Sequence, residues 1–167
     1  GGAVVVSEKT GVTRGPVYKT EGIVQGLKFK SWLDDNFANL QKEAAQTSSH
    51  LTLIKIDTRI VGKYVYVRFY FDTSEAMGMN MATIATDAIN KYIVSKTGIK
   101  CLSVAGNFDV DKKPAWLNFI SGRGKKVWAQ TTITKDTLNS VLKVSAQDIY
   151  DVWFFLKNNW PLNKEIV

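Results

Sequence analysis

Cysteine and histidine each occur once in this 167-residue sequence, and proline occurs three times. Because a single cysteine cannot form an internal disulfide, the composition favours a reducing compartment, and we expect a cytoplasmic protein. The lone histidine has no second imidazole with which to share a metal ion, so we expect no metal site. No apolar run approaches the roughly 20 residues of a membrane-spanning helix, and no signal peptide opens the sequence, so we expect no membrane partner.

What the sequence does have is a globular composition with a basic surplus. Hydrophobic residues make up 45% and aromatic residues 11%, which suits one domain or one domain with a short appendage. The net charge of +7 permits an anionic partner such as nucleic acid, phosphate or a phosphorylated cofactor. A solvated basic face is the alternative, since the one local cluster is Arg123, Lys125 and Lys126 beside Lys112 and Lys113.

Hydrophobic periodicity predicts the order strand, helix, strand, strand, helix, strand. The predicted strands cover residues 11–20, 51–60, 64–71, 99–105 and 126–133, and the predicted helices cover 26–46, 74–96 and 134–143, before a last helix capped by Ser145 and Asp148. This order is the split βαβ, ferredoxin-like arrangement, an α+β fold whose antiparallel sheet carries two helices on one face. We therefore predict a ferredoxin-like domain over residues 1–143 and a C-terminal helical appendage over residues 144–167.

The second long helix, predicted over residues 74–96, carries apolar residues at helical spacing. Its predicted buried stripe consists of Met77, Met81, Ile84, Ala88 and Tyr92. The run E-A-M-G-M-N-M opens this helix, and the N–H groups of a helix N-terminus suit a phosphate. Taken alone, the run is also typical of a capped core helix that uses methionine as filler.

Charged and apolar side chains crowd together in V-A-G-N-F-D-V-D-K-K-P-A-W-L-N-F, residues 104–119. Three stretches of the chain, G-V-T-R-G-P-V, E-A-M-G-M-N-M and G-N-F-D-V-D-K-K-P-A followed by G-R-G-K, lie in this order. In order and spacing they resemble the signatures of 3-hydroxy-3-methylglutaryl-CoA reductases, most closely the class I, archaeal-like sequences. The resemblance reaches about Lys143 and covers the small, cofactor-binding domain of that oxidoreductase of isoprenoid biosynthesis.

The resemblance implies roles for four charged residues. Lys112 would be the catalytic lysine that stabilises the oxyanion developing at the thioester carbonyl. Asp111 would hold that lysine and tune its charge. Arg14 and Lys113 would bind the free carboxylate of the hydroxymethylglutaryl group.

The resemblance also implies NADP, as NADPH, for the cofactor. The residues that would face it are Glu75, Met77, Gly78, Met79, Asn80 and Asn107. His50 falls near the place where many members keep an arginine for the 2′-phosphate of the cofactor, so the preference for NADP over NAD is left open.

Several positions depart from the family pattern. Ala105 stands where serine is usual, and Glu75 stands where aspartate is usual. Asp109 replaces a common cysteine, and Trp116 replaces a small residue. The glutamate, the aspartate and the general-acid histidine that complete the family's active site belong to its large domain, so we expect no turnover by this chain alone.

Two other functions stay open at this point. The chain could be an excised, engineered scaffold without enzymatic activity, in which aromatic residues such as Trp116 repack an exposed surface or line a new pocket. A homo-oligomer could then form through the apolar region Trp153–Trp160. Tyr64, Tyr66 and Tyr70 would suit a nucleic-acid binder, but no RNP-type motif is present, and we expect no nucleic-acid partner.

Overall fold

The computed structural model describes residues 2–158. The strands are β1 (Ala3–Arg14), β2 (Val17–Lys19), β3 (Thr52–Val61), β4 (Tyr64–Asp72), β5 (Lys100–Ser103) and β6 (Gly124–Thr131). The helices are α1 (Ile23–Asp35), α2 (Phe37–Ala45), α3 (Met79–Thr97), α4 (Trp116–Ser121), α5 (Lys135–Thr137) and α6 (Ala146–Asn158), with a π-helical turn at Leu138–Leu142. The described residues form two compact units, one of Ser7–Val127 and one of residues 2–6 and 128–158.

Strand β4 is the centre of the sheet. It pairs antiparallel with β3 along one edge and with β1 and β2 along the other, and β5 pairs antiparallel with β2. The spatial order β3, β4, β2, β5 is that of the split βαβ arrangement. The predicted α+β, ferredoxin-like fold class is therefore confirmed, with β6 beside β1 as an addition.

The core lies between one face of this sheet and helices α1, α2 and α3. Residues at alternate positions of β4 are fully buried against it, namely Val65, Val67, Phe69 and Phe71. The helices contribute buried side chains at helical spacing, among them Phe29, Leu33, Leu40, Ile89 and Ile93. Burying each such side chain contributes about 1.5–3 kcal/mol, which makes this layer the main source of stability.

Two predicted elements are interrupted in the structure. The predicted strand over residues 11–20 starts earlier, at Ala3, and breaks at Pro16, which has no N–H to donate to a ladder. The predicted helix over residues 26–46 becomes α1 and α2, which meet at Asn36. The side-chain amide of Asn36 donates to the Trp32 carbonyl at 2.9 Å, and this local bond competes with a continuous helix.

Helix α3 starts at Met79, five residues later than predicted. Of the predicted buried stripe, Met81 and Tyr92 pack partly buried against the core, but the prediction is wrong at Met77 and Ile84. Met77 precedes the helix and is 73% exposed, and Ile84 is 60% exposed. The buried positions of α3 are Met79, Ala82, Ala85, Thr86, Ile89, Asn90 and Ile93. Three of these residues, Ala82, Ala85 and Thr86, are small and let α3 approach the sheet closely. A prediction based on large apolar side chains does not identify such positions.

The second unit contains α6, which begins where its cap was predicted. The Ser145 N–H and hydroxyl donate to the Asp148 carboxylate at 2.8 and 2.7 Å, and the Asp148 N–H donates back at 3.1 Å. Apolar side chains on the described part of α6 are exposed, including Trp153 and Phe155. Trp160 lies outside the described residues, so the oligomer through Trp153–Trp160 stays a prediction, as does the division after residue 143.

In the part of the chain that the structure covers, none of the helices combines the length and the apolar character needed to cross a membrane.

Glycines at the two ends of α3 offer a matched stability test. Gly78 and Gly98 both have positive φ, +71° and +68°, but a Cβ on Gly78 would lie 2.3 Å from the Thr73 side chain, whereas one on Gly98 meets nothing within 4 Å. We expect Gly98→Ala to cost about 1 kcal/mol for the left-handed backbone. Gly78→Ala should cost about 1–3 kcal/mol more because of the clash. Urea unfolding of both variants measures the difference, and equal losses would contradict the close packing on Thr73.

Candidate functional site

The turn between β4 and α3 shapes the start of the helix. The Thr73 hydroxyl donates to the Ala76 carbonyl at 2.7 Å, and the Ser74 N–H donates to the Asp72 carboxylate at 3.0 Å. Ser74 adopts a φ of 53°, which is uncommon for a residue with a side chain. Gly78 occupies the N-cap position of α3, so no capping side chain competes for the N–H groups of the first turn. The positive end of a 19-residue helix therefore opens at this turn.

A cavity of about 500 Å³, here called the large cavity, lies beside this turn. It is lined by β1 residues, by the turn and by the loop before β6, including Lys9, Gly11, Asp72, Glu75, Met77, Met79, Asp111, Lys112, Arg123 and Lys125. Lys9 pairs with Asp72 at 2.9 Å, and Lys125 pairs with Glu75 at 3.1 Å. The Lys9 hydrogen bond lowers the pKa of Asp72, which keeps that carboxylate ionised. The lining is thus rich in charge of both signs, with four cationic side chains.

A second cavity of about 180 Å³, here called the small cavity, is lined by Thr13, Arg14, Met79, Ala105, Asn107, Asp109, Asp111, Lys112 and Lys113. The Arg14 guanidinium bonds to the Asp109 carboxylate at 2.9 Å and to the Thr83 hydroxyl at 2.8 Å. Lys113 donates to the Asn107 side-chain oxygen at 2.7 Å. Because Met79, Asp111 and Lys112 line both cavities, Lys112 lies where the two meet.

Asp111 is anchored to the sheet. Its carboxylate is buried and accepts hydrogen bonds from the Thr13 backbone N–H at 2.7 Å and from the Thr13 hydroxyl. The guanidinium of Arg68, on β4, lies 3.4 Å from the same carboxylate and is completely buried. Arg68 also stacks on the Tyr70 ring at 4.9 Å, and within the described residues its Nε and Nη1 have no hydrogen-bond partner. The contacts of Asp111 with Thr13 and Arg68 fix the loop that carries Lys112.

The structure gathers most of the residues singled out from the sequence. The two cavities are lined by eight of them: Arg14, Glu75, Met77, Met79, Asn107, Asp111, Lys112 and Lys113. Gly78, Asn80 and His50 are not among the residues that line either cavity. His50 is exposed, and its carbonyl accepts a bond from the Ser74 hydroxyl at 3.3 Å, which places it beside the turn. Asp111 was expected to hold Lys112, but its carboxylate contacts Thr13 and Arg68 instead.

Sequence reasoning missed the residues that support the site from the sheet and from α3. Thr13, Arg68 and Thr83 lie in stretches predicted as strand or helix, and no sequence signal marked them as functional. The aromatic repacking hypothesis is wrong at Trp116, which is 74% exposed and pairs edge-on with Phe119.

Among residues 2–158, no group of three or more His, Cys, Asp or Glu side chains could hold a metal ion.

Removing the charge of Asp111 should destabilise the fold. Asp111→Asn leaves the buried Arg68 guanidinium without its counter-charge, and we expect a loss of about 3 kcal/mol in the free energy of unfolding. The matched control is Asp34→Asn, which removes the partner of Lys30 in an exposed helical pair and should cost about 0.5 kcal/mol or less. Chemical denaturation measures both, and similar small losses would show that Arg68 does not depend on Asp111.

Tyr70 should make stability depend on alkaline pH. Burial, aided by its hydrogen bond to Asp57 at 2.8 Å, raises the pKa of Tyr70 to about 12. Since this lies above the unfolded value of about 10, the stabilisation is present below pH ~10 and is lost as the pH rises through ~12. We expect Tyr70→Phe to flatten this fall in the free energy of unfolding. An unchanged pH dependence in that variant would assign the fall to other groups.

Comparison with known proteins connects this geometry to a family. The family model described as hydroxymethylglutaryl-coenzyme A reductase matches residues 1–158. Relatives named 3-hydroxy-3-methylglutaryl-coenzyme A reductase include those of Methanothermobacter thermautotrophicus, 40% identical over 91% of this chain, and Methanocaldococcus jannaschii, 42% identical over 91%. The Halobacterium salinarum enzyme is 43% identical over 83% of the chain. The chain spans 38%, 39% and 34% of the lengths of these three relatives.

The fold is also similar to a solved structure, the class II 3-hydroxy-3-methylglutaryl-CoA reductase of Streptococcus pneumoniae bound to NADPH in open conformations. That likeness has a TM-score of 0.53 and 17% identity, and it covers 66% of this chain and 32% of the other. At 17% identity, this likeness shows a similar fold and nothing further. The family match over residues 1–158 carries the conclusion that this chain belongs to the hydroxymethylglutaryl-coenzyme A reductase family.

Proposed function

We propose that this chain binds NADPH in the large cavity and is the cofactor-binding part of a class I type hydroxymethylglutaryl-CoA reductase. The observation that carries the proposal is one cavity of about 500 Å³ onto which four cationic side chains and the turn before α3 converge. That volume lies within the usual range for small-molecule and cofactor sites. Cations beside the N-terminus of a long helix are the donors that a diphosphate requires.

The residues of the large cavity fit the chemistry of such a ligand. Arg123 offers a bidentate fork for phosphate oxygens. The ammonium groups of Lys125 and Lys9 form solvent-accessible pairs with Glu75 and Asp72, which are weak enough for a phosphate to replace the carboxylates. Met77 and Met79 supply apolar surface next to the turn, which suits the uncharged face of a ring. NADPH, when bound, supplies hydride. The solved relative's NADPH supports this assignment at the level of family, because that protein shares the fold.

We assign the catalytic role to Lys112, and its place in the lining of both cavities supports this. Lys112 lines both the proposed cofactor site and the small cavity that contains Arg14 and Lys113. An ammonium at this position would stabilise negative charge developing on a carbonyl oxygen. The anchoring of Asp111 on Thr13 and Arg68 holds the adjacent backbone in place, so Asp111 acts as a positioning residue for Lys112.

Reduction of a thioester also needs a proton donor for the leaving thiolate and for the alkoxide. The single histidine, His50, is exposed and is not one of the residues that line the cavities. We therefore propose that these 167 residues bind the cofactor but do not oxidise it when hydroxymethylglutaryl-CoA is added.

A second candidate is an engineered scaffold that has kept the motifs without the activity. The exposed apolar side chains of α6, such as Trp153, Phe154 and Phe155, favour this alternative because they suit assembly more than solution. Sedimentation separates the two: a sharp oligomer together with absent dinucleotide binding supports the scaffold, and saturable binding supports the cofactor module.

Calorimetric titration with NADPH, with NADH as comparison, tests the proposal. We expect micromolar, saturable binding of NADPH, weakened about tenfold by Arg123→Gln through the loss of one charge-assisted contact. Lys30→Gln is the matched control, since it removes one positive charge from an exposed helical pair on α1 and should leave affinity unchanged. No detectable heat from the folded protein, or equal weakening by both variants, would overturn the proposal.

A further inference from the structure

We propose that Asp109 is a built-in competitor for the anion site of the small cavity, and that it makes this chain select against ligands bearing a carboxylate there. This inference rests on the proposed function and on the family resemblance, which implies that Arg14 binds a carboxylate. In the structure the Arg14 guanidinium already binds a carboxylate, that of Asp109, at 2.9 Å.

The ion pair is largely withdrawn from water. The side chains of Arg14 and Asp109 are 22% and 8% exposed, and both line the small cavity. A guanidinium–carboxylate contact at this distance is charge-assisted, and low exposure strengthens it. A ligand carboxylate would therefore have to displace Asp109 from Arg14, or bind beside a second negative charge.

Both partners are held in place by their surroundings. The Arg14 Nε donates to the Thr83 hydroxyl at 2.8 Å, which fixes the plane of the guanidinium against α3. On the other side, the loop presses against the junction of β1 and β2, so a Cβ on Gly15 would lie 2.6 Å from the Asp109 nitrogen. The Gly106 N–H donates to the Gly15 carbonyl at 2.6 Å. The packing of the loop thus holds the backbone of Asp109 close to Arg14.

Asp109 changes the balance of charge in the small cavity. Its lining includes the cations Arg14, Lys112 and Lys113 and the anions Asp109 and Asp111. Asp111 is satisfied by Thr13 and Arg68, and Arg68 lies outside the lining. Asp109 is therefore the anion that neutralises the Arg14 guanidinium in this cavity. With Asp109 uncharged, Arg14 would offer its fork to an incoming carboxylate beside Lys112 and Lys113.

Titration with glutarate, a plain dicarboxylate, and with glutaramide, its uncharged diamide, tests the inference. We expect Asp109→Asn to bind glutarate at least about tenfold more tightly than the unaltered chain, with no gain for glutaramide. Adding Arg14→Gln to that variant should abolish the gain. The Arg14 Nε–Hε signal in NMR spectra should shift with glutarate in the Asp109→Asn protein and much less in the unaltered chain.

Asp87→Asn is the matched control, because it removes one negative charge from an exposed pair with Lys91 on α3. A gain of the same size in this control would overturn the inference, since it would reflect net charge alone. Absence of a gain in folded Asp109→Asn would also overturn it, including the case in which neither protein binds glutarate. If Asp109→Asn does not fold by circular dichroism, Asp109→Ser replaces it under the same criteria. NADPH titration of the large cavity is a separate readout, so failure of cofactor binding is distinguishable from failure here.

Discussion

The buried contact between Arg68 and Asp111 joins the centre of the sheet to the loop that carries the charged motif. A guanidinium with no exposed surface is costly to desolvate, and the Asp111 carboxylate and the Tyr70 ring are what compensate it. Because Asp111 also accepts two bonds from Thr13, the loop is tied to β1 and β4 at once. The position of Lys112 follows from this attachment, and so does the boundary between the two cavities.

The start of α3 is the other fixed point of the site. Gly78 must be glycine because its backbone is left-handed and the Thr73 side chain occupies the space of a Cβ. The helix then begins at Met79, which is buried in the core and also lines both cavities. Core packing and site geometry therefore share a residue, so a change in how α3 packs on the sheet would move the walls of both cavities.

Local patterns were sufficient for the fold class, and the motifs that carry the family resemblance supplied the candidate site residues. Alternation along β3 and β4 around the Gly62 turn gave the central hairpin, and the spacing of Phe29, Leu33 and Leu40 gave the core face of the first helical segment. The same patterns failed where tertiary contacts override them. Arg68 belongs by alternation to the open face of the sheet, yet the loop with Asp111 covers it. Ile84 is exposed because Ala82 and Ala85 are among the α3 residues that are buried instead, and Met77 is exposed before the helix begins.

The sequence by itself determined which kinds of element form and in what order, because helix and strand periodicity, turn glycines and capping residues act over a few positions. It also determined the family, through motifs that stand in order along the chain. Only the tertiary structure decided which charged side chains form ion pairs with each other. Asp111 contacts Arg68 and Thr13, and Asp109 binds the Arg14 guanidinium. These partners are separated by 43 to 98 residues, so they come together only when the loop packs on the sheet. Ion pairs between distant residues leave no periodic trace in a sequence, so their choice of partner is a property of the fold.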